Sequence, residues 1–217
     1  MNFTSKDFLD YFKLVVEVME TEKDYLCDLD RKLGDGDHGV TMSIGWQAVK
    51  EKLNNELADE TDLGKISSLV GMTFLNAVGS SVGPLYATGF INGGKVVKGK
   101  SEINDTDLTE YWLAFINGIK DRGKAQVGDK TIVDTIDPAG KALEASFAES
   151  QDFLSAFNDA VLAGEEGMKS TIDLVSKIGR SSRLGERSKG AQDPGATSAY
   201  MILDTFLKVV KAQSVKG

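Results

Sequence analysis

The stretch Ser5–Leu26, "SKDFLDYFKLVVEVMETEKDYL", decides the fold class. Its large apolar residues Phe8, Phe12, Val15, Val16 and Met19 recur at steps of three and four. That period places them on one face of an α-helix and conflicts with the two-residue alternation of a half-buried strand. Ser5 reads as the N-cap, and Asp7 as a first-turn acid that complements the helix dipole. The same period returns in "QDFLSAFNDAVLAGEEGMKSTIDLV" (151–175) through Phe153, Phe157, Val161 and Met168. "GATSAYMILDTFLKVVKAQ" (195–213) has a broader apolar face, which implies deep burial.

Extended along the chain, the pattern predicts eight helices, near 5–24, 39–57, 62–78, 84–92, 105–122, 131–149, 151–177 and 195–213. Strand signals are weak; "KVV" at 95–97 is the strongest. Pro84, Pro138 and Pro194 lie in or beside glycine-containing segments and read as punctuation. No low-complexity linker or repeat divides the sequence. The expectation is an all-α, single-domain fold over 1–217, an antiparallel helical bundle or barrel.

The 217 residues are 41% hydrophobic, enough for one sizeable core. A net charge of −8 argues against nucleic acid or an anionic membrane as partner, since both require basic patches. Cys27 is the only cysteine, so no internal disulfide is expected. No apolar run approaches the ~20 residues of a membrane span, and the N-terminus does not read as a signal peptide. The expected location is cytoplasmic.

The polar, glycine-rich stretches fall between the predicted helices: "GDGDHG" (34–39), "VGSSVGP" (78–84), "RGKAQVGDKT" (122–131) and "GRSSRLGERSKGAQDPGATS" (179–198). If alternate connections gather at one end of a bundle, they converge on one site. "GDGDHG" matches G-x-G-x-x-G, but no strand precedes it and acids occupy the loop, so a dinucleotide fingerprint is rejected. A P-loop is absent, and an EF-hand fails for want of glycine at its sixth place. Asp30, Asp35 and Asp37 together present hard oxygen ligands, which suit Mg²⁺ shared with phosphates. An Asp/Gly turn capping the next helix fits the same residues equally well. His38, the only histidine, reads as a hydrogen-bonding loop residue, because zinc would need more partners. "VGSSVGP" is an ordinary helix connection or a phosphate-binding turn. Arg180, Arg183, Arg187 and Lys189 make the fourth stretch either a solvated basic loop or a phosphate-binding one.

Taken together, "LDRKLGDGDHGVTM", "GSSVGPLYATGF", "RGKAQVGDKTIVDTIDPA" and "GRSSRLGERSKGAQDPGATSAYMIL" resemble, in order and spacing, the nucleotide-binding L-subunit family of dihydroxyacetone kinases. The resemblance covers essentially the whole chain. It implies an eight-helix antiparallel α-barrel with the nucleotide at one end. It implies two Mg²⁺ ions on Asp30, Asp35 and Asp37, bridging to ADP or ATP. His38, Gly39 and Thr41, with Gly79, Ser80 and Ser81, would line the nucleotide. Gly123 and Ile132 would lie near the base, Arg180 would meet phosphate, and Asp193, Pro194 and Gly195 would close the site. No residue of this chain would be covalently catalytic. The expected partners are a K subunit that holds dihydroxyacetone and a phosphohistidine-carrying M subunit of the phosphotransferase system, which rephosphorylates ADP in place. Some family members also contact a transcription regulator. The alternatives are an ATP-exchanging kinase subunit for another short ketose, or a nucleotide-loaded regulatory protein.

Overall fold

The computed structural model describes residues 1–214 and is almost entirely helical. Nine α-helices follow one another: α1 (Ser5–Thr21), α2 (Lys23–Arg31), α3 (His38–Asn54), α4 (Leu63–Ala77), α5 (Val82–Val96), α6 (Asp105–Gly123), α7 (Val133–Ser150), α8 (Phe153–Ser170) and α9 (Pro194–Ser214). Two short strands, β1 (Phe3–Thr4) and β2 (Glu102–Ile103), pair antiparallel. Two 3₁₀ segments, Thr171–Asp173 and Arg180–Ser188, lie between α8 and α9. No helix among the described residues is long and apolar enough to cross a membrane.

Packing runs α1, α3, α4, α5, α6, α7, α8, α9 and back to α1, so eight helices close into a barrel. The ninth, α2, packs against α3 and α9. Neighbours are antiparallel: Gly64 at the start of α4 faces Gly94 near the end of α5, and Ser43 in the first half of α3 donates to Glu20 at the end of α1. The interior is filled by aromatic rings from most of the walls. Phe12 stacks on Trp46, Trp46 meets Phe90 edge-on, and Trp112 and Phe157 pack on Phe206. Each such ring buries a large apolar area, and the offset and edge-on geometries add to that burial.

Several expected boundaries shift for identifiable reasons. The helix expected over 5–24 breaks at Glu22 (φ −90°, ψ 5°), and α2 sets off in a new direction. Its nine residues, "KDYLCDLDR", bury only Leu26, Cys27 and Leu29, too few for a clear period. Thr4 rather than Ser5 is the N-cap of α1. Its side chain accepts from Asp7 N–H while the Asp7 carboxylate accepts from Thr4 N–H at 2.8 Å, a capping box. Lys95 and Val96 end α5 instead of forming a strand. The expected 151–177 helix stops at Ser170, where the chain turns into the 3₁₀ segment.

Pro138 lies inside α7, within the helix expected over 131–149. A proline has no N–H, so the Asp134 carbonyl, four residues earlier, loses its helical donor. Gly167 of α8 seats against that carbonyl so closely that an added Cβ would come within 2.0 Å of the oxygen and 2.9 Å of the Pro138 ring. Gly167→Ala should therefore prise α7 from α8 and cost about 1–3 kcal/mol, the usual overpacking range. Gly79→Ala, where a Cβ would meet nothing within 4 Å, should be close to neutral. Urea unfolding of the two variants checks the contrast; equal stabilities would refute the close-packing account.

Candidate functional site

The up-and-down order of the ring sends four connections to the same end: 32–37, 78–81, 124–132 and 171–193. Residues of all four line one cavity of about 580 Å³. The first turns of α3, α5, α7 and α9 open on it through His38, Val82, Val133 and Pro194. Helix N-termini carry unsatisfied N–H groups and partial positive charge, which favour an anion. Val82, Leu85, Ile132 and Ile178 supply an apolar side suited to a flat ring.

One edge of the cavity is acidic. Asp30 lies in the last turn of α2, and one oxygen of its carboxylate accepts from the N–H groups of Asp37 (2.9 Å) and His38 (3.2 Å). These bonds fold the 31–37 turn back, and Gly36 takes the left-handed backbone (φ +77°) that the turn requires. Asp30, Asp35 and Asp37 thereby bring one oxygen each within 4.8 Å of one another. Three hard oxygen donors in such a cluster fit a divalent cation such as Mg²⁺. Arg180, from the 179–188 segment, pairs with Asp35 and lies 3.8 Å from Asp37. All three side chains are well exposed, so this pairing is weak and open to exchange.

Behind the acids, His38 Nε2 lies 3.0 Å from Ser198 Oγ in α9. Burial pushes the imidazole down to about 4, with Asp30 partly opposing the shift. Asp193 caps α9, its carboxylate accepting from Ala196 N–H at 2.7 Å. Burial pushes the Asp193 carboxyl up to about 7, against the pull of the backbone donors.

The long 171–193 connection is held by a single side chain. Lys130 is only 1% exposed, and its three ammonium N–H groups donate to the carbonyls of Thr171 (2.6 Å), Ser188 (2.8 Å) and Ala191 (2.6 Å), with the Leu174 carbonyl sharing one of them at 3.3 Å. Burial lowers its pKa, while Asp193, Asp134 and Asp173 act in the other direction. Asp134 folds the preceding turn by accepting from Gly128 N–H (2.6 Å) and Thr131 N–H (2.7 Å).

Of the residues singled out in the sequence, Asp30, His38, Ser81, Gly123, Ile132, Arg180, Asp193, Pro194 and Gly195 line this cavity, with Asp35 and Asp37 joining Asp30 in the acid cluster. Gly39, Thr41, Gly79 and Ser80 are not among its lining. Gly39 packs against α2: an added Cβ would fall 1.9 Å from the Lys23 carbonyl oxygen. Sequence reasoning passed over Lys130, Asp134, Tyr86 and Ser198. A lysine next to the apolar start of α7 was the one available signal.

Lys130→Met should strand the four carbonyls and destabilise the protein by roughly 3 kcal/mol or more, with faster hydrogen exchange confined to 171–191. Wild-type exchange rates there would remove Lys130 from this role. Asp193 binds a proton more readily folded than unfolded, so its contribution is full below about pH 4 and is lost as pH rises through about 7. Asp193→Asn, which keeps a capping oxygen, should flatten that loss; urea midpoints between pH 4 and 8 measure it.

A family model described as "DAK2 domain" matches residues 32–208. The chain is 39% identical over 196 residues to a Listeria innocua protein named PEP-dependent dihydroxyacetone kinase 2, ADP-binding subunit DhaL, covering 89% of each chain. It is 35% identical over 211 residues to the Escherichia coli PEP-dependent dihydroxyacetone kinase ADP-binding subunit DhaL, covering 97% of this chain and all of the relative. Among solved structures, the dihydroxyacetone kinase from C. freundii in complex with AMP-PNP and Mg²⁺ shares the fold, with a TM-score of 0.70 at 24% identity. That match covers 92% of this chain and 33% of the solved one, so the chain spans about a third of that kinase. The chain belongs to the DAK2-domain family and, within it, to the DhaL subunits.

Proposed function

We propose that this chain is the magnesium–nucleotide subunit of a multi-subunit dihydroxyacetone kinase driven by the phosphotransferase system. One observation carries the reading: a three-carboxylate cluster at the edge of a cavity on which four helix N-termini open. Carboxylates alone would repel a phosphate, so the pairing of acids with anion-binding helix ends makes sense for a metal-bound phosphate chain. Relatives that this chain matches over nearly their full length are named ADP-binding subunits.

Asp30, Asp35 and Asp37 hold magnesium, which neutralises phosphate charge when bound. The positive dipole ends of α3 and α9 favour the phosphates, and Ser81 and Gly195 line their path. The base lies on the apolar side, against Ile132 near Gly123. Arg180 exchanges Asp35 and Asp37 for phosphate oxygens and brings positive charge to the transferring group. Catalysis of phosphoryl transfer rests mainly on positioning and charge stabilisation, which these groups supply without a covalent intermediate on this chain. The acceptor, dihydroxyacetone, sits on a K subunit facing the cavity mouth, and an M subunit returns a phosphoryl group to the ADP in place.

Mg-ADP at a hundred times its Kd should stabilise the fold by about 2.7 kcal/mol. Asp35→Asn should weaken Mg-ADP binding at least tenfold by calorimetry while leaving the nucleotide-free melting temperature near wild type, because Asp35 is exposed. Undiminished affinity in that variant would overturn the metal assignment. Native mass spectrometry after dialysis in magnesium separates a retained ADP from an exchanging ATP.

A further inference from the structure

Behind the cavity wall, three side chains from three helices form one hydrogen-bonded chain. Ser198 Oγ lies 3.1 Å from the Gly195 carbonyl oxygen, 3.0 Å from Tyr86 Oη and 3.0 Å from His38 Nε2. Ser198 and Tyr86 are fully buried. A serine hydroxyl has one proton to give and two lone pairs to accept with. The Gly195 carbonyl can only accept, so it takes the Ser198 proton. Ser198 is the hydrogen-bond partner of the Tyr86 hydroxyl, and a buried phenol proton left undonated is costly, so Tyr86 donates to Ser198. The remaining lone pair faces His38, whose Nε2 must therefore carry the ring proton.

We infer that Ser198, set by Tyr86 and the Gly195 carbonyl, is a positioning residue that fixes His38 in its Nε2–H tautomer and leaves Nδ1 as a hydrogen-bond acceptor. His38 itself lines the cavity, with the buried Ser198 at its back. An acceptor on this cavity-lining ring disfavours phosphate oxygens and selects a donor from the ligand. With the base and its amino group assigned to the Ile132 side, a metal-bound nucleotide offers donors of two further origins, a ribose hydroxyl or a water held by the metal. This inference rests on the nucleotide reading for the ligand's identity, but not for the tautomer.

His38 is the only histidine, so ¹⁵N-histidine labelling gives two ring signals that need no assignment. Long-range proton–nitrogen correlation on the nucleotide-free protein should show Nε2 protonated and Nδ1 bare. Ser198→Ala should replace that pattern with a tautomer mixture and weaken Mg-ADP binding about tenfold, the loss of one well-made hydrogen bond. Because Ser198→Ala strands the Tyr86 hydroxyl, the double variant Ser198→Ala, Tyr86→Phe removes both buried polar groups and keeps the fold while giving the same mixture. If the donor is a ribose hydroxyl, the tenfold difference disappears with 2′,3′-dideoxy-ADP; if it is a metal-held water, it persists. A protonated Nδ1 in the wild type, an unchanged tautomer in both variants, or undiminished Mg-ADP affinity in both would overturn the proposal. A wild type that shows the tautomer but binds no Mg-ADP would overturn the nucleotide reading and the ligand contact, while leaving the Ser198–His38 assignment standing.

Discussion

The site depends on one buried cation. Lys130 projects from a residue in the left-handed backbone region (φ +63°), and its ammonium is ringed by four main-chain carbonyls. Desolvating an ammonium is expensive, and only a near-complete set of acceptors makes it tolerable. The same set ties both ends of the 171–191 stretch to the turn before α7. That stretch carries Arg180 at its exposed bend and delivers the chain to Asp193 and the start of α9. Without this tie, a long connection of mixed 3₁₀ and irregular backbone has little apolar surface to hold it.

The barrel supplies the rest by simple geometry. An even ring of antiparallel helices alternates its ends, so four N-termini and the loops before them share one rim. Close glycine contacts bring the walls together, and the aromatic interior keeps them apart at fixed distances. The functional groups therefore need no specialised framework. They sit in the first turns of helices whose positions the core already determines.

How much of this was readable from sequence divides along a physical line. Long helices announced themselves because Phe8, Phe12, Val15 and Met19 repeat a period that survives any tertiary context. The helix α2 was hidden because nine residues, five of them charged and only three buried, carry little periodic signal. The acids at 30, 35 and 37 and Arg180 were legible because chemistry concentrated in a short polar stretch stands out. The need for glycine at 39 was not legible: it serves the close passage of α2, whose Lys23 carbonyl lies where a Cβ would be. Lys130, Tyr86 and Ser198 were illegible for a different reason. A buried polar residue is explained by partners 41 to 160 positions away, and one sequence read alone does not reveal which carbonyl or hydroxyl will face it.

The hydrogen bond from α3 to α9 spans 160 residues, and the ring itself closes only where α9 meets α1. During synthesis, the hairpins α4–α5 and α7–α8 can form from local contacts as each emerges, but the cavity cannot. Its two walls come from opposite ends of the described chain, so loop-closure entropy must be met before any ligand contact exists. Bound nucleotide can thus act only on the finished barrel: it slows opening and leaves the rate of assembly untouched. Under conditions where the cell's nucleotide pool falls, the protein's lifetime, rather than its folding yield, is the quantity that responds.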